Sequence, residues 1–276
     1  MTIFAVVKTN TDLILASDSK VSTMGIGGLD ENGKLIYFNQ AYDYATKICF
    51  SPKNVWTVGV IGQSSIGNLG ISDIIHNLLP SDTLVFSNRA EQDEKLNKLI
   101  SFIADIRHSY YYDKLSLAPQ YWSSTKLLVF SSDPEDRGVR GWQISFVEDR
   151  FDQTDILPVP GVWIEGSSKH AFSLLYGYSF DVIDEISATL DCEKETIYET
   201  VNNKLIKPIN MINFGPMPLQ DAIEFATFLV EAQIQMERFV PGNPVCGGPV
   251  DIAIMHGLPT NSVTWFPGKQ IHHPRT

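Results

Sequence analysis

The chain has 276 residues, of which 43% are hydrophobic and 19% charged, and its formal net charge is -11. That length can bury a sizeable core, and the acidic balance argues against nucleic acid as a partner, because phosphate binding draws on clustered Lys and Arg. No apolar run approaches the ~20 residues of a membrane-spanning helix, and the first apolar run is short, lacks a basic leader and alternates like a strand, so a cytoplasmic protein with no signal peptide and no membrane contact is expected.

The apolar segments Thr2 to Val7 and Leu13 to Ser17 flank the turn Asn10-Thr11-Asp12 and read as a hairpin. Residues 22–43 form a glycine-rich excursion with a strand-like piece at Leu35 to Phe38, expected as an insertion that can form its own small hairpin. Its GIGGLD does not have the glycine spacing of a dinucleotide or phosphate loop, and no strong helix follows. Thr46 to Phe50 and Val55 to Ile61 are the next strands, with the turn Ser51-Pro52-Lys53-Asn54 between them.

After Gly62 the apolar spacing becomes helical, through Ile66, Leu69, Ile71, Ile74 and Leu78. A second helix is expected over residues 90–111, with Leu96, Leu99, Ile100, Ile103 and Ile106 on one face. Strands follow at Thr125 to Phe130, Gly141 to Val147 and Val162 to Glu165, then a Gly166-Ser167-Ser168 turn that offers a helix N-cap. A helix starts near Lys169, the helical region near 191–214 looks enlarged, and a long helix spans Leu219 to Arg238. The loop PGNPVCGG leads to closing strands at Val250 to Met255 and Val263 to Trp265.

No repeat or linker divides the chain, so one domain over residues 1–276 is expected. Strands buried on both sides read as nearly continuous apolar runs. Strands, two helices, strands, helices and strands in that order fit an α+β, four-layer αββα sandwich, and not the regular alternation of a doubly wound sheet. The three cysteines, Cys49, Cys192 and Cys246, are widely spaced and suggest a reducing compartment. None of the six histidines has HExxH spacing, and no metal or other cofactor is expected.

The first strand carries chemistry of its own. Thr2 is small enough for the initiator Met to be removed. Its free α-amine, with a reference pKa of about 7.7–8.0, would then lie beside a hydroxyl that needs a base to become a nucleophile. A cation favours the alkoxide, and a carboxylate holds the cation. Asp18 ends the paired strand, where the hairpin returns it towards Thr2. Lys34 and Lys47 could each be the cation. Lys47, in ATKICF, starts a core strand, which holds a side chain more rigidly than the loop around Lys34. An oxyanion needs a main-chain N–H, and Gly62 in GVIGQSS sits where a strand turns towards the expected helix. Each residue alone is ordinary; the ordered set at the ends of core strands is more specific.

With those residues in place, MTIFAVV followed by LILASDSK resembles the opening of proteasome β-type subunits, which are N-terminal nucleophile hydrolases. The resemblance is strongest over residues 1–80 and 160–255 and implies a divergent, bacterial proteasome-like branch. It puts the nucleophile on Thr2, its supporting pair on Asp18 and Lys47, and the oxyanion glycine on Gly62. EGSSKHAF is similar to the family's Gly-Ser-Gly segment and implies a supporting role for Ser167. VCGGPVDIAI is similar to a Ser-Gly-Gly segment, with Cys246 in place of Ser and Asn243 in place of the family's preceding Asp. Val21, Ala45, Val60 and Ser64 are the implied pocket residues.

The resemblance implies a threonine peptidase or amidohydrolase acting on unfolded polypeptide or peptide, in a homo-oligomeric ring that an ATP-dependent unfoldase could feed. The alternatives within it are a non-catalytic structural subunit, favoured by Asn243 and Cys246, and an amidase for small substrates.

Overall fold

The structure is a computed structural model describing residues 2–29, 35–43, 45–204, 208–242, 244–258, 260 and 262–266. It is a mixed α/β fold built on antiparallel sheets.

The apolar runs at the start form β1 (Ile3–Lys8) and β2 (Asp12–Ser17). Asn10 and Thr11 are exposed in the turn between them, which Thr9 closes by donating its N–H to the Asp12 carbonyl at 2.8 Å. The glycine-rich excursion is a hairpin of its own, β3 (Val21–Leu29) and β4 (Leu35–Tyr42), separate from the larger sheets. Next come β5 (Ile48–Phe50) and β6 (Thr57–Gly62). The Ser51 hydroxyl accepts the Trp56 N–H at 2.8 Å across their connection.

The segment after Gly62 departs from the sequence expectation. It forms a minimal hairpin, β7 (Ser65–Ile66) and β8 (Leu69–Gly70), before the short helix α1 (Ile71–Asp73) and a wider turn over Ile74–Leu78. Gly67 explains the difference. Its φ is +62°, and any Cβ there would overlap the Tyr110 ring. A left-handed glycine followed by Asn68 closes a two-residue turn and overrides the helical spacing of Ile66 and Leu69.

Helix α2 (Arg89–His108) is capped by Asn88, whose side chain accepts the Glu91 N–H at 2.9 Å. Four strands follow: β9 (Thr125–Ser132), β10 (Val139–Val147), β11 (Arg150–Ile156) and β12 (Gly161–Gly166). The helices α3 (Lys169–Tyr176), α4 (Phe180–Leu190), α5 (Lys194–Lys204) and α6 (Leu219–Glu237) precede β13 (Asp251–His256) and β14 (Val263–Phe266).

Two five-stranded sheets result, ordered β12-β1-β2-β13-β14 and β11-β10-β9-β6-β5. Their alternating side chains sort into separate clusters, as the two-residue period of a strand dictates. Phe4, Val6, Leu13 and Leu15 of the first sheet share one cluster with Ile48, Leu128 and Phe130 of the second. Gly59 of β6 makes room there: a Cβ would lie 2.9 Å from the Phe4 ring. The intervening residues Ile3, Ala5 and Ile14 pack with Ala171, Ala222 and Leu229 of α3 and α6. On the second sheet Val58, Val60, Leu127 and Val129 pack with Leu96, Leu99 and Ile103 of α2. Among the described residues no helix is long and apolar enough to cross a membrane.

Candidate active site

The strand ends bring Thr2, Asp18, Lys47 and Ser167 together. Thr2 precedes β1 and is 6% exposed. Asp18 follows β2 and Lys47 precedes β5, both buried. The Asp18 carboxylate is an organising centre. Its Oδ1 accepts the Ile3 N–H at 3.0 Å and the Lys47 Nζ at 2.7 Å. Its Oδ2 accepts the Gly247 N–H at 3.0 Å and the Lys20 N–H at 3.3 Å. One buried carboxylate oxygen therefore holds an ammonium beside the peptide group that joins Thr2 to Ile3. Charge-assisted hydrogen bonds of this kind are about twice as strong as neutral ones.

Ser167 sits opposite Thr2. Its N–H donates to the Thr2 carbonyl at 2.7 Å, extending the β1–β12 ladder by one residue. Gly166 makes this approach possible: its φ is +88°, and a Cβ there would overlap the Thr2 carbonyl oxygen. Ser168 does not cap α3 with its side chain, contrary to the sequence expectation; its hydroxyl turns back to the Gly166 carbonyl at 3.4 Å. The cap comes instead from α6, where Gln233 Oε1 accepts the His170 and Ala171 N–H groups at 2.8 and 3.2 Å.

The same helix supplies a residue that sequence reasoning missed. Glu237 Oε1 accepts the Ser167 hydroxyl at 3.2 Å and Gln233 Nε2 at 2.9 Å. Its Oε2 accepts the Val245 and Cys246 N–H groups at 2.6 and 2.8 Å. Burial opposes charge at Glu237, but the donors from Cys246, Gln233 and Val245 outweigh it and hold the carboxyl below its ordinary pKa. The readable signal was the stripe Ala222, Ala226, Leu229, Val230, Gln233 and Glu237, a buried helix face that ends in two polar side chains. Asn243 lies outside the described residues, as does Lys34.

Cys246 Sγ is 3.7 Å from the Ser167 carbonyl. Burial, with the Asp18 and Glu237 charges nearby, pushes its thiol pKa up. A thiolate nucleophile requires the opposite shift. Cys246 therefore acts as a packed, neutral side chain in the wall behind Ser167.

No protein-family model matches the chain, and no curated protein does. Among solved structures, the chain is similar to Anbu from Hyphomicrobium sp. strain MC1, at 10% identity and a TM-score of 0.44, over 95% of this chain and 85% of that one.

The remaining expected residues sit on neighbouring segments. Val60 donates its N–H to the Lys47 carbonyl at 2.9 Å, and its side chain packs in the cluster under α2. Gly62 ends the same strand, two residues on, exposed and paired with Thr125. It is followed by the β7–β8 hairpin, so a helix N-terminus does not lie directly behind it. Ser64 is exposed, and its carbonyl accepts the Ile71 N–H at 2.9 Å. Ala45 donates its N–H to the Ser19 carbonyl at 2.8 Å, and Val21 opens β3 three residues beyond Asp18.

Proposed function

We propose that this chain is an N-terminal threonine hydrolase of the proteasome β type, a single-domain αββα sandwich that cleaves peptide bonds. The observation that carries the reading is the Asp18 oxygen shared between the Ile3 N–H and Lys47 Nζ. It supplies a buried, paired cation at the main chain of a residue bearing a hydroxyl.

With Met1 removed, the Thr2 hydroxyl attacks the substrate carbonyl carbon. The Thr2 α-amine takes the hydroxyl proton, directly or through a water, and delivers it to the leaving amine. The resulting ester is then hydrolysed by water, with the same amine as base. Lys47 lowers the cost of negative charge on the Thr2 oxygen, and Asp18 keeps Lys47 charged. The Gly62 N–H stabilises the tetrahedral oxyanion, a contribution of about 10²–10³ in rate for one such donor in other hydrolases.

Ser167 and Glu237 hold the far side of Thr2. The Glu237 carboxylate orients the Ser167 hydroxyl, and its negative charge favours a protonated amine during the transfer. Glu237 thus provides a carboxylate in a chain that carries Asn243 where the family resemblance implies Asp. Val21, Ala45, Val60 and Ser64 are proposed to shape the pocket beside the nucleophile.

Hydrolysis of fluorogenic peptides tests the reading. Wild type should cleave, and Thr2→Ala and Lys47→Ala should be inactive with unchanged circular dichroism. Wild-type activity in Thr2→Ala would remove the nucleophile assignment.

A further inference from the structure

A cleft of about 570 Å³ opens beside β12 and includes Gly166 and Ser167 in its wall. Strand β12 is an outer strand among the described residues: β1 pairs with one edge, and no described strand pairs with the other. The antiparallel alternation determines which groups face that free edge. Ser167 bonds to Thr2, opposite it in the register, so Glu165 and Trp163 also bond inward to β1, opposite Phe4 and Val6. The main-chain groups of Ile164 and the N–H of Gly166 therefore point outward, into the cleft, while the outward Gly166 carbonyl accepts the Ser168 hydroxyl at 3.4 Å.

The opposite wall is aromatic. Phe172 and Tyr176 of α3 stack with ring centroids 4.2 Å apart, and Tyr198 of α5 joins them along the cleft. The charged side chains at the rim are already paired, Lys169 with Asp181 and Glu165 with Lys126. A free strand edge offers main-chain hydrogen bonds at a two-residue spacing, an aromatic wall offers a place for an apolar side chain, and the paired rim leaves no net charge to attract an ion. That combination suits an extended peptide added as a further strand.

We propose that the β12 cleft binds an extended segment of the peptide substrate, with an aromatic or large apolar side chain against Phe172 and Tyr176. The inference rests on the threonine-hydrolase reading: the cleft is continuous with Ser167, whose N–H bonds to the Thr2 carbonyl. It adds a substrate-binding surface to the expected pocket around Val21, Ala45, Val60 and Ser64, and it makes an extended chain, not a compact small amide, the preferred substrate.

The test is fluorescence anisotropy on the Thr2→Ala protein, so that cleavage does not consume the probe. The probe is a fluorescein-labelled heptapeptide with a central Phe. Saturable binding is expected, weakened about tenfold by Phe172→Ala and by replacing the central Phe with Gly. N-methylation of alternate probe amides should weaken binding about tenfold and that of the intervening amides should not, a comparison that leaves the protein unaltered. Equal affinity for Phe172→Ala and for every N-methylated probe would overturn the proposal. So would a Phe172→Ala variant that binds the probe normally but changes oligomeric mass, because a second copy would then occupy the cleft. Thr2-dependent cleavage with no cleft effect removes this inference alone, whereas cleft binding with Thr2-independent cleavage removes the nucleophile.

Discussion

Asp18 and Lys47 form a 2.7 Å ion pair with both side chains buried. Taking two charges out of water is costly, and removing one partner of such a pair typically costs about 3–5 kcal/mol. The two partners are not equivalent here. Asp18 retains three main-chain N–H donors when Lys47 is replaced, from Ile3, Gly247 and Lys20. Asp18→Ala strands those donors and leaves a buried ammonium without its carboxylate. Both variants should lose hydrolysis, and Asp18→Ala should lower the urea midpoint more than Lys47→Ala. Equal midpoints would mean that the N–H donors contribute little.

Glu237 makes stability depend on pH in a defined direction. Its folded pKa lies below the ordinary glutamate value. Its contribution is therefore complete above the ordinary value and is lost as pH falls through the folded one. Glu237→Gln should cost roughly 1–3 kcal/mol at neutral pH. The gap between wild type and variant should be constant at neutral pH and close as pH falls below the ordinary glutamate range. Urea unfolding across that range measures it; a constant gap would show that the carboxylate charge is not what stabilises the cluster.

Gly166 has no room for a side chain. Alanine there would combine a φ of +88° with overlap on the Thr2 carbonyl. Strained backbone alone costs roughly 1–3 kcal/mol, and Thr2 would also have to move. Gly166→Ala should lower the melting temperature and abolish hydrolysis together. Full activity in this variant would show that the Thr2–Ser167 contact is dispensable.

The thiols give a chemical check on the wall behind Ser167. Burial pushes the Cys49 pKa up to about 12, and Cys246 is also shifted up. Cys192 is the more accessible of the three. In the folded protein a disulfide reagent should titrate one thiol quickly, at Cys192, and the other two only after unfolding. Alkylating Cys192 should leave hydrolysis unchanged. Rapid modification of Cys246 coupled to inactivation would make that thiol the candidate nucleophile.

Much of this arrangement is legible in the sequence because the residues concerned end core strands. The runs IFAVVK and LILAS are buried along their length, so their hairpin, and with it the approach of Asp18 to Thr2, follows from hydrophobic pattern and turn chemistry. Lys47 is legible for the same reason, as the residue before a buried strand. Strand β11 is not: six of its seven residues are exposed, and main-chain pairing with β10 alone defines it. The β7–β8 hairpin is hidden because Ile66, Leu69 and Ile71 satisfy a helical period that the Gly67 turn overrides. Gly177, at φ +78°, ends α3 where the sequence shows no change of pattern. Glu237 escapes because its role depends on a loop eight and nine residues further along the chain, at Val245 and Cys246, which no local periodicity links to it.

Intact mass spectrometry, before and after exposure to a peptide epoxyketone, tests the nucleophile most directly, because that reagent combines with a hydroxyl and an adjacent free amine. The expected result is a chain lacking Met1 that gains one adduct, with no adduct on Thr2→Ala. A chain that retains Met1 and gains no adduct, while still cleaving peptides, would contradict the assignment of Thr2 as nucleophile.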